Sequence, residues 1–426
     1  MRLAATSVSS CQACAKIPRS KPAAAPPQRP QLQSRPRRRL IERRQGCSTS
    51  SSSSTFATSA TATDSNDSII PAFIPREFGS EVTEPAARAF ISRMRRVQLP
   101  VEGVSSSLET AFVGPSAESS SSPSPSSSSS SADLPPVVCL HGFDSSCLEF
   151  RRLEPLLAEQ GVECWCPDLI GWGFTSLTDF ADDGRAGASA TAATATSSSA
   201  AAAASNPPPL LGPEQKRRHL LSFWERVLKK RKMVLLGTSL GGGIAIDFAL
   251  AHPEAVQSLV LVAPQAYAEG IGPLSSVPRW LARLGVRLLR SVPLRQAANK
   301  MAYFDVEKFA TEDAMRVGRL HTHLPNWEEG NVAFMASGGY NLAKEVKKVK
   351  CATLLVWGRD DKILDPALAE KFREDLPQEG KTEFVSVYAC GHCPHLEQPG
   401  RLAEAVVAFV KGKGGGGGGD GGGGES

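Results

Sequence analysis

The sequence has no uninterrupted apolar run of about 18 residues, so it predicts no helix that crosses a bilayer. It also lacks the cysteine pattern of a secreted, disulfide-stapled domain. Its ten cysteines are scattered, with Cys11, Cys14 and Cys47 near the start and Cys139, Cys164, Cys166, Cys351 and Cys390 in or beside apolar strand-like runs. There a free thiol acts as a small buried hydrophobe. The glycines at 241–243 are not followed by Lys-Ser/Thr and do not fit G-x-G-x-x-G, which argues against a nucleotide-binding loop. Acids are nearly missing from the first 63 residues. Residues 1–60 hold eleven Arg/Lys against Glu42 alone, a net +10, so a total of +5 leaves the remainder at −5. The basic charge belongs to this leader, and the rest of the chain shows no footprint of a nucleic-acid partner.

What is present supports a folded enzyme-sized unit: 426 residues, of which 41% are apolar, fill one large or two ordinary domains. Residues 1–68 are rich in Ser, Ala, Arg and Pro without the compact apolar core of a secretory signal. They read as an organelle transit segment. The Ser/Thr/Ala stretch from Ser48 to Thr63 makes a plastid the first expectation and a mitochondrion the second. Serine-rich 115–132 and Ala/Thr/Ser-rich 181–209 have too little apolar surface to fold and are expected to be disordered insertions; 413–426 is a glycine tail.

Between these segments apolar runs of strand length alternate with helical periodicity. Strands are expected at Val97–Val101, Leu108–Val113, Pro136–Gly142, Glu163–Leu169, Met233–Leu236, Ser258–Ala263, Ala352–Trp357 and Phe384–Tyr388. Helices are expected at Arg88–Val97, Glu149–Gly161, Glu214–Lys230, Ile244–Leu250, Pro366–Asp375 and Leu402–Lys411. The alternation predicts an α/β fold with a mostly parallel sheet covered on both faces. Residues 265–350 interrupt it with a helical stretch far longer than an ordinary connection of about 2–6 residues. This is expected to be a cap, dividing the core into 85–264 and 351–412. Within it, Arg279, Arg283, Arg287 and Arg290 share one helical face and Trp280, Leu284 and Leu288 another. The arginine face is expected to be solvated, with contact to an anionic membrane as the alternative. His321-x-His323 reads as ordinary polar surface.

The chemistry centres on Gly237-Thr238-Ser239-Leu240-Gly241, a G-x-S-x-G between a buried strand and a helix ended by His252-Pro253. That context is what a nucleophile elbow requires. A serine on so sharp a turn tolerates only glycine two residues either side, hence Gly237 and Gly241. Acyl transfer then needs a base, an acid to orient it and donors for an oxyanion. Asp360-Asp361 follows the strand ending at Trp357, and Gly391-His392 follows the last strand, giving the order Ser, Asp, His at strand carboxyl ends. Cys390-x-x-Cys393 brackets His392 but has no second ligand pair, so no metal site is expected.

Taken together, His141-Gly142, Asp168-x-x-Gly171-x-Gly173, the elbow, Gly358-x-x-Asp361 and Gly391-His392 resemble the α/β-hydrolase superfamily over roughly residues 90–412. Glu269-Gly270, Gly318-Arg319-Leu320-His321 and Ser337-Gly338-Gly339-Tyr340-Asn341 further resemble a plastid-type group of α/β-hydrolases from plants and algae. The resemblance implies Ser239 as nucleophile, His392 as base and Asp361, at the family spacing, as acid in preference to Asp360. It implies the backbone N–H groups of Phe143 and Leu240 as oxyanion donors. Serine at 239 argues against dehalogenases and most epoxide hydrolases, which carry aspartate there. The expected activity is hydrolysis of an ester, thioester or similar acyl bond in an apolar or lipid-like small molecule, with no metal or cofactor. A carbon–carbon bond hydrolase using the same triad, and a non-catalytic receptor on the same fold, are the alternatives.

Overall fold

A computed structural model describes residues 70–103, 107–115, 134–176, 211–268, 270–325, 327–377 and 381–414. The leader, the 181–209 insertion, and nearly all of the 115–132 insertion and of the glycine tail lie outside these residues. Eight strands form one sheet: β1 Arg95–Leu99, β2 Leu108–Val113, β3 Val137–Leu140, β4 Cys164–Pro167, β5 Met233–Thr238, β6 Val256–Val262, β7 Ala352–Gly358 and β8 Thr382–Val387. Their order is β1-β2-β4-β3-β5-β6-β7-β8. The β1–β2 and β2–β4 pairs are antiparallel and all others parallel.

The central strands are apolar on both faces because helices cover both. Every residue of β3 and β5 is buried, which is why they read as continuous hydrophobic runs rather than alternating ones. Register sets the site. Leu140 at the end of β3 pairs with Gly237 on β5, and Thr238 pairs with Val262 on β6, so the turns after β3 and β5 emerge side by side. On the other side of β6, Gly358 at the end of β7 pairs with Val387 on β8, so the turns after these strands also meet.

Several boundaries differ from the sequence reading. The expected helix at Glu149–Gly161 is a 3-10 turn, Cys147–Phe150, followed by a short helix, Glu154–Glu159, which begins just ahead of Pro155. The helix before β1 spans Pro85–Ser92, with Pro85 at its first turn, and ends before β1 starts at Arg95. The last helix starts earlier, at Pro399. Cys139, Cys164 and Cys166 face one another across β3 and β4, with Sγ–Sγ distances of 3.5 Å for Cys139–Cys164 and 3.9 Å for Cys164–Cys166. They are free thiols inside the apolar cluster that also holds Val137, Leu157 and Val162.

Between β6 and β7 lie the helices Arg279–Leu289, Val292–Ala302, Val306–Phe309, Glu312–Arg319 and Trp327–Ala336. Ala282 and Val286 turn the first of these inward against Trp327 and Val332. The arginine face is solvated, as expected: Arg283, Arg287 and Arg290 are exposed, and the first two reach acids at the surface. Arg279 and Arg283 pair with Glu329, Arg283 Nη2 at 2.6 Å, and Arg287 Nε lies 2.8 Å from Glu328 Oε2. The acids of the neighbouring helix draw the arginines sideways, and Trp280, Leu284 and Leu288 are left facing outward.

Candidate active site

Ser239 sits in the left-handed region, at φ 51° and ψ −120°, where a non-glycine residue costs about 1–3 kcal/mol. The surrounding backbone holds it there. Its N–H donates to Val262 O at 3.0 Å, and its carbonyl accepts from Gly242 N and Gln265 N, both at 2.9 Å. The flanking glycines are demanded by close approach: a Cβ on Gly237 would lie 2.3 Å from Gly241 O, and one on Gly241 would lie 2.0 Å from Leu140 O. Leu240 then opens the helix Leu240–Ala251, whose positive end lies at Ser239.

His392 and Asp361 are brought together by the turns after β8 and β7. His392 Nδ1 lies 2.7 Å from Asp361 Oδ2, and both residues are buried. The other carboxylate oxygen, Oδ1, accepts from Ile363 N at 2.8 Å and Leu364 N at 2.9 Å, which fixes the acid's orientation. Of the two neighbouring acids it is Asp361, not Asp360, that meets the histidine. On the opposite side, a Cβ at Gly142 would lie 3.6 Å from Ser239 Cβ, so the Gly142-Phe143 backbone runs beside the serine. Among the described residues no hydrogen bond joins Ser239 Oγ to His392. The structure pairs Asp361 with His392 and seats Ser239 beside the Phe143 turn.

Three carboxylates that the sequence reading assigned no role connect these turns. Glu149 Oε2 accepts from Thr238 Oγ1 at 2.9 Å and from Gly142 N at 3.2 Å, linking the residue before Ser239 to the residue before Phe143. Glu397 accepts from Gly391 N at 2.7 Å, Phe304 N at 3.2 Å and Asp305 N at 2.8 Å, while His392 N donates to Ala302 O at 2.7 Å. The histidine turn is therefore fastened to the cap. Asp144 is the third. Its buried carboxylate takes an ion pair from Arg295 and hydrogen bonds from Trp327 Nε1 at 2.7 Å and Asn331 Nδ2 at 3.2 Å, with His321 Nε2 at 3.3 Å. Burial alone would push the Asp144 carboxyl up; His321, Arg295 and Trp327 outweigh it and hold it below the usual carboxylate range. His321 is thus buried beside Asp144, correcting its reading as ordinary polar surface: Asp144, at the far end of the core in sequence, supplies its partner.

Phe143 also begins an aromatic wall. Its ring centroid lies 5.4 Å from that of Trp172 and 5.8 Å from that of Phe334, and Trp172 and Phe334 are 4.8 Å apart. Behind it, Lys216 is fully buried, donating to Ile170 O at 2.7 Å with Nζ 3.3 Å from the Trp172 ring centroid. Burial drives its pKa well below that of an ordinary lysine.

Three histidines are buried as neutral rings. His219 Nδ1 accepts from Ile170 N at 3.1 Å, leaving Nε2 to donate to Thr110 Oγ1 at 2.7 Å. His141 Nε2 accepts from Leu169 N at 3.1 Å, leaving Nδ1 to donate to Gly142 O. Burial lowers the pKa of His141, His219 and His395 to about 3. In the unfolded chain they take up protons near pH 6.5, so between about 6.5 and 3 the unfolded state binds more protons than the folded one. Stability should therefore fall as pH drops through this window, by up to about 1.4 kcal/mol per pH unit for each histidine. The buried Asp168 carboxyl, raised to about 7 by burial, acts in the opposite direction over part of this window, but three rings outweigh one carboxyl. A clearly lower urea midpoint at pH 5 than at pH 7 is expected; equal midpoints would contradict a net excess of neutral buried rings.

The elbow, the strand order and the paired acid and base define an α/β-hydrolase. A model of the alpha/beta hydrolase family matches residues 137–405, and the chain belongs to that family. It is 35% identical over 345 residues to the alpha/beta hydrolase domain-containing protein VTE7 of Arabidopsis thaliana, covering 80% of this chain and 91% of that one. It is 24% identical over 192 residues to monoacylglycerol lipase ABHD6 of Rattus norvegicus, covering 43% of this chain and 56% of that one. Among solved structures, a thermophilic esterase from Thermogutta terrifontis superposes with a TM-score of 0.55 at 19% identity, over 75% of this chain and 99% of the esterase.

Proposed function

We propose that this hydrolase cleaves an ester, thioester or similar acyl bond of an apolar, lipid-like substrate through Ser239, His392 and Asp361. The observation that carries the reading is Ser239 on its strained elbow after β5, with the Asp361–His392 pair on the turns after β7 and β8 at the same carboxyl edge of the parallel strands. His392 Nε2 takes the Ser239 hydroxyl proton as Oγ attacks the acyl carbon. Asp361 holds the Nδ1–H and stabilises the imidazolium. The backbone N–H groups of Phe143 and Leu240 receive the oxyanion. Collapse expels the alcohol or thiol, which takes the proton from His392, and leaves an acyl-enzyme. Water, deprotonated by His392, then releases the carboxylic acid and restores Ser239. These steps use only the chain's own residues.

The Phe143–Trp172–Phe334 wall supports an apolar acyl or alcohol group, as does the sequence likeness to a monoacylglycerol lipase. The acid-poor, Ser/Ala/Arg-rich leader supports a plastid location. The test of the activity is turnover of p-nitrophenyl esters of graded acyl length. Release above the buffer rate, rising from acetate to octanoate, is expected. A folded protein that binds these esters and releases no p-nitrophenol from any of them would favour a receptor and overturn the reading.

A further inference from the structure

Eight of the eleven large apolar side chains that stand exposed among the described residues fall between Leu274 and Phe304, so exposed apolar surface is concentrated on this part of the cap. Its centre is the outer face of the helix Arg279–Leu289. Trp280, Leu284 and Leu288, four residues apart, are 70%, 60% and 63% exposed. This helix is not misplaced: Ala282 and Val286 fill its inner face and the Arg–Glu pairs fasten its flank. Among the described residues nothing covers the outer stripe.

We infer that this stripe docks the hydrolase on an anionic lipid surface, with the helix lying in the headgroup plane. Residues 270–304 carry Arg279, Arg283, Arg287, Arg290, Arg295 and Lys300 and not one Asp or Glu. An amphipathic helix with Trp and Leu on one face and Arg beside it is the composition that settles at a bilayer interface. Glu328, Glu329 and Asp144 pair with four of these six cations, so three acids face six cations and a net positive charge, with Arg290 and Lys300 outside the ion pairs of the described residues, remains to attract anionic headgroups. The same charge disfavours a second copy of the chain as occupant, because a two-fold contact would set this basic patch against itself. The patch also adjoins the site: Ala302 and Phe304 at its end hold the His392 turn, and Arg295 holds Asp144 beside Phe143. Docking does not depend on Ser239; delivery of a bilayer lipid to Ser239 deepens, and rests on, the function proposed above.

Because the basic leader also attracts anionic lipid, the test reads Trp280 itself. Full-length protein is mixed with phosphatidylglycerol vesicles carrying brominated acyl chains, and the fluorescence of Trp280→Phe is subtracted to isolate the Trp280 signal. Strong quenching is expected with phosphatidylglycerol and weak quenching with phosphatidylcholine. Leu281→Ser/Leu284→Ser/Leu288→Ser should lose the quenching several-fold while still hydrolysing soluble p-nitrophenyl acetate at the parental rate; the single variant Leu284→Ser gives the same direction with less disturbance. Ser239→Ala should be quenched like the parent, separating docking from catalysis. A Trp280 signal that stays unquenched while the protein co-sediments with the vesicles would overturn the inference. So would a Trp280 already shielded in a self-associated form without lipid.

Discussion

Ser239→Ala is expected to lower kcat/KM for p-nitrophenyl butyrate by about 10⁴- to 10⁶-fold, with an unchanged circular dichroism spectrum. The size follows from the loss of the attacking oxygen: Phe143 and Leu240 N–H donors and the aromatic wall would remain, so only the residual catalysis of a polar pocket survives. In the proposed mechanism Ser239, His392 and Asp361 act as a unit, so Ser239→Ala/His392→Ala should be hardly slower than either single variant. Multiplicative losses would mean that His392 serves some other nucleophile. Steady-state rates of the two single variants and the double variant decide between these outcomes.

Asp144→Ala is expected to destabilise the fold by about 3–5 kcal/mol, read as a fall in the free energy of urea unfolding. The carboxylate is buried at 5% exposure and faces Arg295, His321, Trp327 and Asn331, so its removal takes the counter-ion from a half-buried guanidinium and leaves indole and amide N–H groups short of an acceptor. Asp144 also has φ 48°, a left-handed conformation that Asp and Asn adopt more readily than Ala. Asp144→Asn keeps that conformation and an acceptor oxygen while losing the charge, so its cost should fall between the two. Activity should drop in both variants, because the residue joins the cap to the Phe143 turn. A loss below about 1 kcal/mol in Asp144→Ala would mean the cap donors find water or other partners.

The sheet and the elbow were legible because they are local. Met233–Leu236 is apolar at every position and is stopped after four residues by Gly237, the pattern of a short strand buried on both faces. Gly237 and Gly241 flank the serine for a steric reason that any sharp strand-to-helix turn imposes. Asp361 and His392 were legible as candidates through their order and their places after strands. The ties around them were not. Asp144 meets residues 151 to 187 positions away in the chain, and Glu397 reaches back more than 90 to Phe304 and Asp305, so neither has a local signature. Glu149 lay hidden in a stretch whose periodicity reads as one helix; the 3-10 turn there aims its carboxylate at Thr238 and Gly142 instead.

The cap helix shows a different limit. Its two outer faces, one of Arg and one of Trp and Leu, were both visible as stripes, and hydrophobicity alone would turn the second inward. The small residues Ala282 and Val286 let the helix approach Trp327 closely, and Glu328 and Glu329 supply the partners for the arginines. Close packing plus ion pairing selected a third face for burial, which no reading of that helix by itself contains.

The chemistry proposed for Ser239 is tested most directly by a fluorophosphonate, which forms an O–P bond with an activated serine and releases fluoride. Intact mass and peptide mapping of the treated protein should show one adduct, on Ser239, absent from Ser239→Ala and strongly slowed in His392→Ala. Labelling that persists undiminished in Ser239→Ala, or an adduct on another residue of the native protein, would contradict Ser239 as the nucleophile.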